Sequence, residues 1–127
     1  MLTKKEKAFF LRTAQGASTV SSATVGRGAV LVKGNKIIGT GYNREIIKGH
    51  RWEISAICDA IFSARDVNLA GTSLFSTYFP NIEDIKLIIA TGVSRVYFYG
   101  KIDDPETTEL LNSFKQGLGP IELIQLN

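Results

Sequence analysis

The chain has 127 residues, the length of one domain. Its 44% hydrophobic and 21% charged residues suffice for one core and exclude a disordered chain, a collagen-like fibre and a disulfide-dense mini-protein. The net charge of +3 is uneven: residues 1–51 hold ten Lys/Arg and two acids (+8), and residues 52–127 hold five and ten (−5). Such halves either present a basic face to a phosphate-bearing ligand or compensate one another side by side in one domain.

In chain order, Lys4 to Gln15 sets Phe9, Phe10 and Leu11 among charges, which predicts an amphipathic helix with Lys4-Lys5-Glu6-Lys7 on its wet face. Gly16 to Val25, rich in small and hydroxyl residues, predicts a loop. Gly28 to Lys33 and Lys36 to Gly41 are apolar runs around Gly34-Asn35, the pattern of a β-hairpin. Tyr42 to His50 reads as a loop. Trp52 to Val67 places Ile54, Ile57, Ile61 and Ala64 at helical spacing, with Ala56 and Ala60 small enough for close packing. Ser73 to Phe79 predicts a strand, and Pro80-Asn81-Ile82-Glu83-Asp84 opens a helix that Gly92 ends. Arg95 to Tyr99 is a strand, Pro105 to Lys115 a helix with Leu110, Leu111 and Phe114 on one face, and Ile121 to Leu126 a last strand. The order α-ββ-α-β-α-β-α-β makes the strands from the third onward parallel, with right-handed crossovers.

No apolar run approaches the roughly 18 residues of a membrane span. The start, charged and then amphipathic, has no long apolar region, so no signal peptide is expected. The one cysteine, Cys58, has no internal partner, which makes a reducing cytoplasm the expected compartment.

Several stretches in this order carry a family resemblance. They are Gly28-Ala29-Val30-Leu31-Val32 with Gly39-Thr40-Gly41-Tyr42-Asn43, then Gly71 to Thr77, Pro80 with Lys86-Leu87-Ile88-Ile89, Gly92 to Val96, and Tyr99-Gly100. Together they resemble the zinc-dependent cytidine/deoxycytidylate deaminase superfamily over nearly the whole chain, nearest its tRNA-adenosine and dCMP deaminase branches. The resemblance implies a three-layer α-β-α cytidine deaminase-like fold in one domain. Its five-stranded mixed sheet would be antiparallel at the hairpin, with the last strand parallel to the fourth.

The signature of that family is His-x-Glu followed by Pro-Cys-x-x-Cys: the His and two Cys hold Zn²⁺, and the Glu moves protons. The metal lowers the pKa of a bound water so that it can attack the base. Here Pro80 matches, but the Cys positions fall on Asn81 and Asp84. The His-x-Glu segment has two registers. Arg51-Trp52-Glu53 reaches Gly71 without gaps and is preferred; Ser55-Ala56-Ile57 needs a shortened connection. Arginine offers zinc no lone pair and Asn81 is a feeble ligand, so the zinc expected for the family lacks its ligands and no cofactor is expected. A rebuilt His50/Glu53/Asp84 site is the competing reading. In the preferred register Glu53 matches the proton shuttle, and Arg51 would fill the former metal position by pairing with Asp84 and Glu53.

Each of these residues has a plainer reading. Asn81 is a favoured N-cap and Asp84 sits three residues on, as in a capping box. Trp52 suits the core or a pocket wall, and Cys58 a small buried position. On the substrate side the resemblance implies that Asn43 contacts a sugar and that Thr77, Tyr78 and Phe79 line a base pocket; the alternatives are a turn residue and simple packing. Arg27, Arg44, Lys48 and Arg51 are candidates for a phosphate or for solvent. The function implied is a deaminase-fold protein without its zinc, binding a nucleotide or serving as a non-catalytic partner of a working deaminase, and oligomeric as family members are. The alternative is an enzyme: a dCMP-type deaminase with an unusual metal site, or zinc-free chemistry on the same fold, as in a formyltransferase domain of purine biosynthesis. Nucleic-acid binding is disfavoured, because basic and aromatic residues do not interleave.

Overall fold

The computed structural model of the chain describes residues 2–19, 21, 26–46, 53–66, 68–101, 104–115 and 121–126. Thr3 and Glu6 form a capping box that starts helix α1, Lys4–Ser18. Strands β1 (Gly28–Lys33) and β2 (Lys36–Tyr42) form the expected hairpin, with Gly34 in the left-handed conformation that its turn requires (φ 63°). Two short strands, β3 (Arg44–Glu45) and β4 (Glu53–Ile54), pair antiparallel apart from the main sheet. Helix α2 (Ala56–Ser63), strand β5 (Thr72–Ser76), helix α3 (Ile82–Thr91), strand β6 (Arg95–Phe98), helix α4 (Pro105–Lys115) and strand β7 (Glu122–Gln125) complete the order.

The five-stranded sheet runs β2-β1-β5-β6-β7. β1 is antiparallel to β2 and β5, and β5, β6 and β7 are parallel, so the last strand does run parallel to its neighbour. Every residue of β1 but Lys33 is buried, because both of its faces are covered. The period-two alternation of a strand then sorts its side chains. Val30 and Val32 join Phe10, Ala14, Phe75 and Tyr97 under α1, while Ala29 and Leu31 join Ile57, Ile61, Leu74, Ile85 and Val96 under α2 and α3. Leu111 of α4 extends the second cluster. The layers are α1, then the sheet, then the three later helices. Gly39 and Gly41 let β2 approach α2 closely: a Cβ on either would collide with the carbonyl of Ala60 or Ala56. The two small alanines serve the close packing their spacing suggested.

The segment after residue 50 departs from expectation. The helix expected from Trp52 starts at Ala56, because Glu53 and Ile54 are in β4, and Ser55 caps it by accepting from the Cys58 N–H. The helix ends at Ser63, before Arg65 with its positive φ of 55°. Arg44 and Glu45, expected in a loop, are the other half of that ribbon. The third strand of the sheet ends at Ser76, whose hydroxyl turns back to bond the Tyr78 backbone, while the Thr77 N–H still donates to the Gly28 carbonyl at 3.0 Å. No helix among the described residues is long and apolar enough to cross a membrane.

Candidate functional site

The site lies where α2 and α3 both begin, beside the C-terminal end of β5. Local sequence sets both helix starts. Asn81 Oδ1 accepts from the Asp84 N–H at 2.8 Å and Asp84 Oδ2 accepts from the Asn81 N–H at 3.1 Å, the capping box that the spacing predicts. Tertiary structure then brings in three further donors. The Ser55 hydroxyl donates to Asp84 Oδ1. The Cys58 thiol reaches the same oxygen at 3.3 Å, and the Tyr78 hydroxyl donates to Oδ2 at 2.9 Å. The Tyr78 hydroxyl also accepts the Ile57 N–H at 3.2 Å. Asp84 is fully buried, yet it faces the N-terminal ends of two helices, where backbone N–H groups favour a negative charge.

These surroundings act on the two titratable donors. Burial, with the Asp84 charge adding to it, pushes the Cys58 thiol up to about 11. Burial also pushes the Tyr78 phenol up, again helped by Asp84. Both side chains keep their protons at neutral pH and serve as donors rather than as anionic ligands.

Above the cluster opens a pocket of about 160 Å³ lined by Arg27, Asn43, Glu53, Ser55, Tyr78 and Asn81. The Arg27 guanidinium lies over the Tyr78 ring, 4.8 Å from its centroid. Beyond that pair lies a wider depression of about 480 Å³, which Thr77, Phe79 and Tyr99 line with Arg27 and Tyr78. Asn43 is almost fully buried, and its Oδ1 accepts from the Arg27 N–H at 2.8 Å, which sets the start of β1 against the end of β2. Thr77, one residue past β5, does the same: its hydroxyl accepts from the Gly28 N–H at 3.0 Å. Phe79 packs edge-on against Phe98 with centroids 4.8 Å apart.

Residues 4–100 match the profile of the cytidine and deoxycytidylate deaminase zinc-binding region. The chain belongs to this family. No curated protein sequence matches it significantly. Among solved structures it is similar to the dCMP deaminase of the cyanophage S-TIM5 in apo form, with TM-score 0.81 and 23% identity over 98% of this chain and 100% of that one. The same enzyme in complex with dCMP and dUMP gives TM-score 0.77 and 20% identity over 99% and 100%. A tRNA:A34 deaminase that edits A to I at the wobble position of transfer RNA gives TM-score 0.68 and 16% identity over 95% and 99%. These likenesses establish the deaminase fold.

Within the family fold, the site residues expected from the sequence fall into four groups. Asn43, Glu53, Tyr78 and Asn81 meet at one pocket, and Thr77 and Phe79 at the depression beside it. Asp84 sits beneath, with no exposed surface. Lys48, His50, Arg51 and Trp52 lie outside the described residues, and so do the Arg51–Asp84 pair and the His50/Glu53/Asp84 set. Arg44 is committed elsewhere, in an ion pair with Asp59 at 2.9 Å. Glu53 stands exposed in β4 on the pocket wall, while the described bonds of Asp84 come from Ser55, Cys58, Tyr78 and Asn81. Among the described residues no three His, Cys, Asp or Glu side chains gather as a metal site.

Sequence reasoning missed the tie between the Tyr78 hydroxyl and Asp84, and the closeness of Cys58 to them. One signal was present. Ser55 precedes an apolar helical run, as an N-cap does, and it opens the alternative register of the signature segment.

Proposed function

We propose that this chain is a deaminase-fold nucleotide-binding protein that has given up zinc and hydrolytic deamination. The carrying observation is the contact of Ser55 with Asp84. It favours the register in which Ser55-Ala56-Ile57 holds the His-x-Glu positions, with Asn81 and Asp84 at the two Cys positions. In that register the proton-moving carboxylate is replaced by Ile57, which is fully buried, and no step of a hydrolysis falls to the described residues of the corner. Glu53 then belongs to the pocket wall rather than to proton transfer. The donor set does not suit zinc: a serine hydroxyl, an asparagine amide and a carboxylate that already accepts hydrogen bonds on both oxygens.

The pocket supports the ligand reading. The Arg27 guanidinium has no carboxylate partner among the described residues, so its charge is available to an anion such as a phosphate. Asn43, Glu53 and Asn81 supply polar groups around it, and the Tyr78, Phe79 and Tyr99 rings supply flat surface. The chain works in an assembly, with copies of itself or beside an active deaminase.

The test is metal analysis and a thermal-shift screen on one preparation. The expected result is no stoichiometric zinc, no ammonia released from dCMP, cytidine or adenosine nucleotides, and a raised melting temperature with a nucleoside monophosphate. Stoichiometric zinc with chelator-sensitive deamination overturns the reading.

A further inference from the structure

A capping box needs only Asn81 and Asp84. The corner where α2 and α3 begin carries more than that. A carboxylate offers about four lone-pair sites, and here all four are taken. Oδ1 accepts from the Ser55 hydroxyl and the Cys58 thiol, and Oδ2 from the Tyr78 hydroxyl and the Asn81 N–H. The donors come from different places. Ser55 and Cys58 start α2, 29 and 26 positions from Asp84, while Tyr78 sits in the segment that leaves β5. Tyr78 closes a second loop by accepting the Ile57 N–H of α2. No buried side-chain oxygen or nitrogen among the described residues lacks a partner. The cluster is complete without any added group.

The geometry points to Asp84 as the centre of a joint that fastens the starts of α2 and α3 by hydrogen bonds, in place of the metal that fastens them in zinc-bearing relatives. This goes beyond the ligand reading above and shares with it only the assignment of Ser55, Asn81 and Asp84 to the former ligand positions. The electrostatics are inverted. A zinc centre holds anionic side chains around a cation, whereas here one anion is held by neutral hydroxyl, thiol and N–H donors and by the positive ends of two helices. The inversion explains why Ser55 and Asp84 belong together, while the Asn81 side chain caps α3. A carboxylate at position 84 needs donors opposite it, and the hydroxyl and backbone supply them.

The experiment is thermal unfolding of the full chain with chelator, with added zinc, and as the Asp84→Asn variant, which removes the charge and leaves one acceptor oxygen where there were two. The joint predicts one melting temperature in chelator and in zinc. It also predicts a fall of about 5 °C or more for Asp84→Asn. If that variant yields no folded protein, Ser55→Ala, Tyr78→Phe and their double variant carry the test. Each single change lowers the melting temperature, and the double loss differs from the sum because both donors share one acceptor group. Variants that melt with the wild type overturn the joint alone. A wild-type melting temperature that falls in chelator overturns both the joint and the loss of zinc.

Discussion

Two regions of the molecule, the packing under α1 and the corner where α2 and α3 begin, are held by different physics. Under α1 the contacts are apolar: the Phe10 and Phe75 rings lie 5.6 Å apart, and Phe75 stacks on Tyr97 at 4.6 Å. Across the sheet, at the starts of α2 and α3, three side chains and one backbone N–H donate to a buried carboxylate. Dispersion and burial are non-directional, so the α1 side tolerates any set of side chains that fills the volume. The polar corner is directional, and one missing partner leaves buried groups unsatisfied. The first region forgives exchange among apolar side chains, and the second does not forgive the loss of a partner.

Three changes break or sharpen that contrast. The largest is to exchange the corner's chemistry. A Ser55→His, Asn81→Cys, Asp84→Cys chain should gain stoichiometric zinc, measured by elemental analysis after dialysis, because small structural zinc sites are worth on the order of 10 kcal/mol. The same two cysteines with Arg51→His in place of Ser55→His should not, and zinc in that second chain instead would restore the other register. Next, Phe75→Ala opens the apolar side. Phe75 is fully buried, so urea unfolding should show a loss of about 3–5 kcal/mol, with the pocket's ligand response at low temperature kept if the chain still folds. The smallest effect is alkaline. The Cys58 thiol is raised from 9.0 to about 11, so between those values the unfolded chain ionises first and the folded one is destabilised. Stability should be flat below that window and fall across it, and Cys58→Ser should flatten the fall. The raised phenol of Tyr78 acts in the same direction from its ordinary 10.0 upward.

Much of the fold was legible because its signals are local. The Gly34-Asn35 turn, the Asn81/Asp84 cap and the Gly92 stop are each set within a few residues, and the structure has a left-handed Gly34, a capping box and a left-handed Gly92 at those places. The α/β alternation after the hairpin then leaves little choice but parallel strands. At the site, Asn43 and Tyr78 were read from the ends of the elements that carry them and Asn81 as a helix cap, and the tertiary structure brings the three to one pocket.

The start of α2 was not legible. Ile54, Ile57 and Ile61 fit a helical period, and nothing within the segment says that Ile54 instead pairs with Arg44. That ribbon pairs Arg44 with Ile54, ten positions on. Its closure fixes Ser55 rather than Glu53 as the residue that enters the corner. The sequence alone determined the elements, their order and the residue types available to the site. Only the tertiary structure decided which helix residue meets Asp84, and that Tyr78 turns its hydroxyl inward to join them, because both are long-range pairings whose energy comes from burying polar groups together.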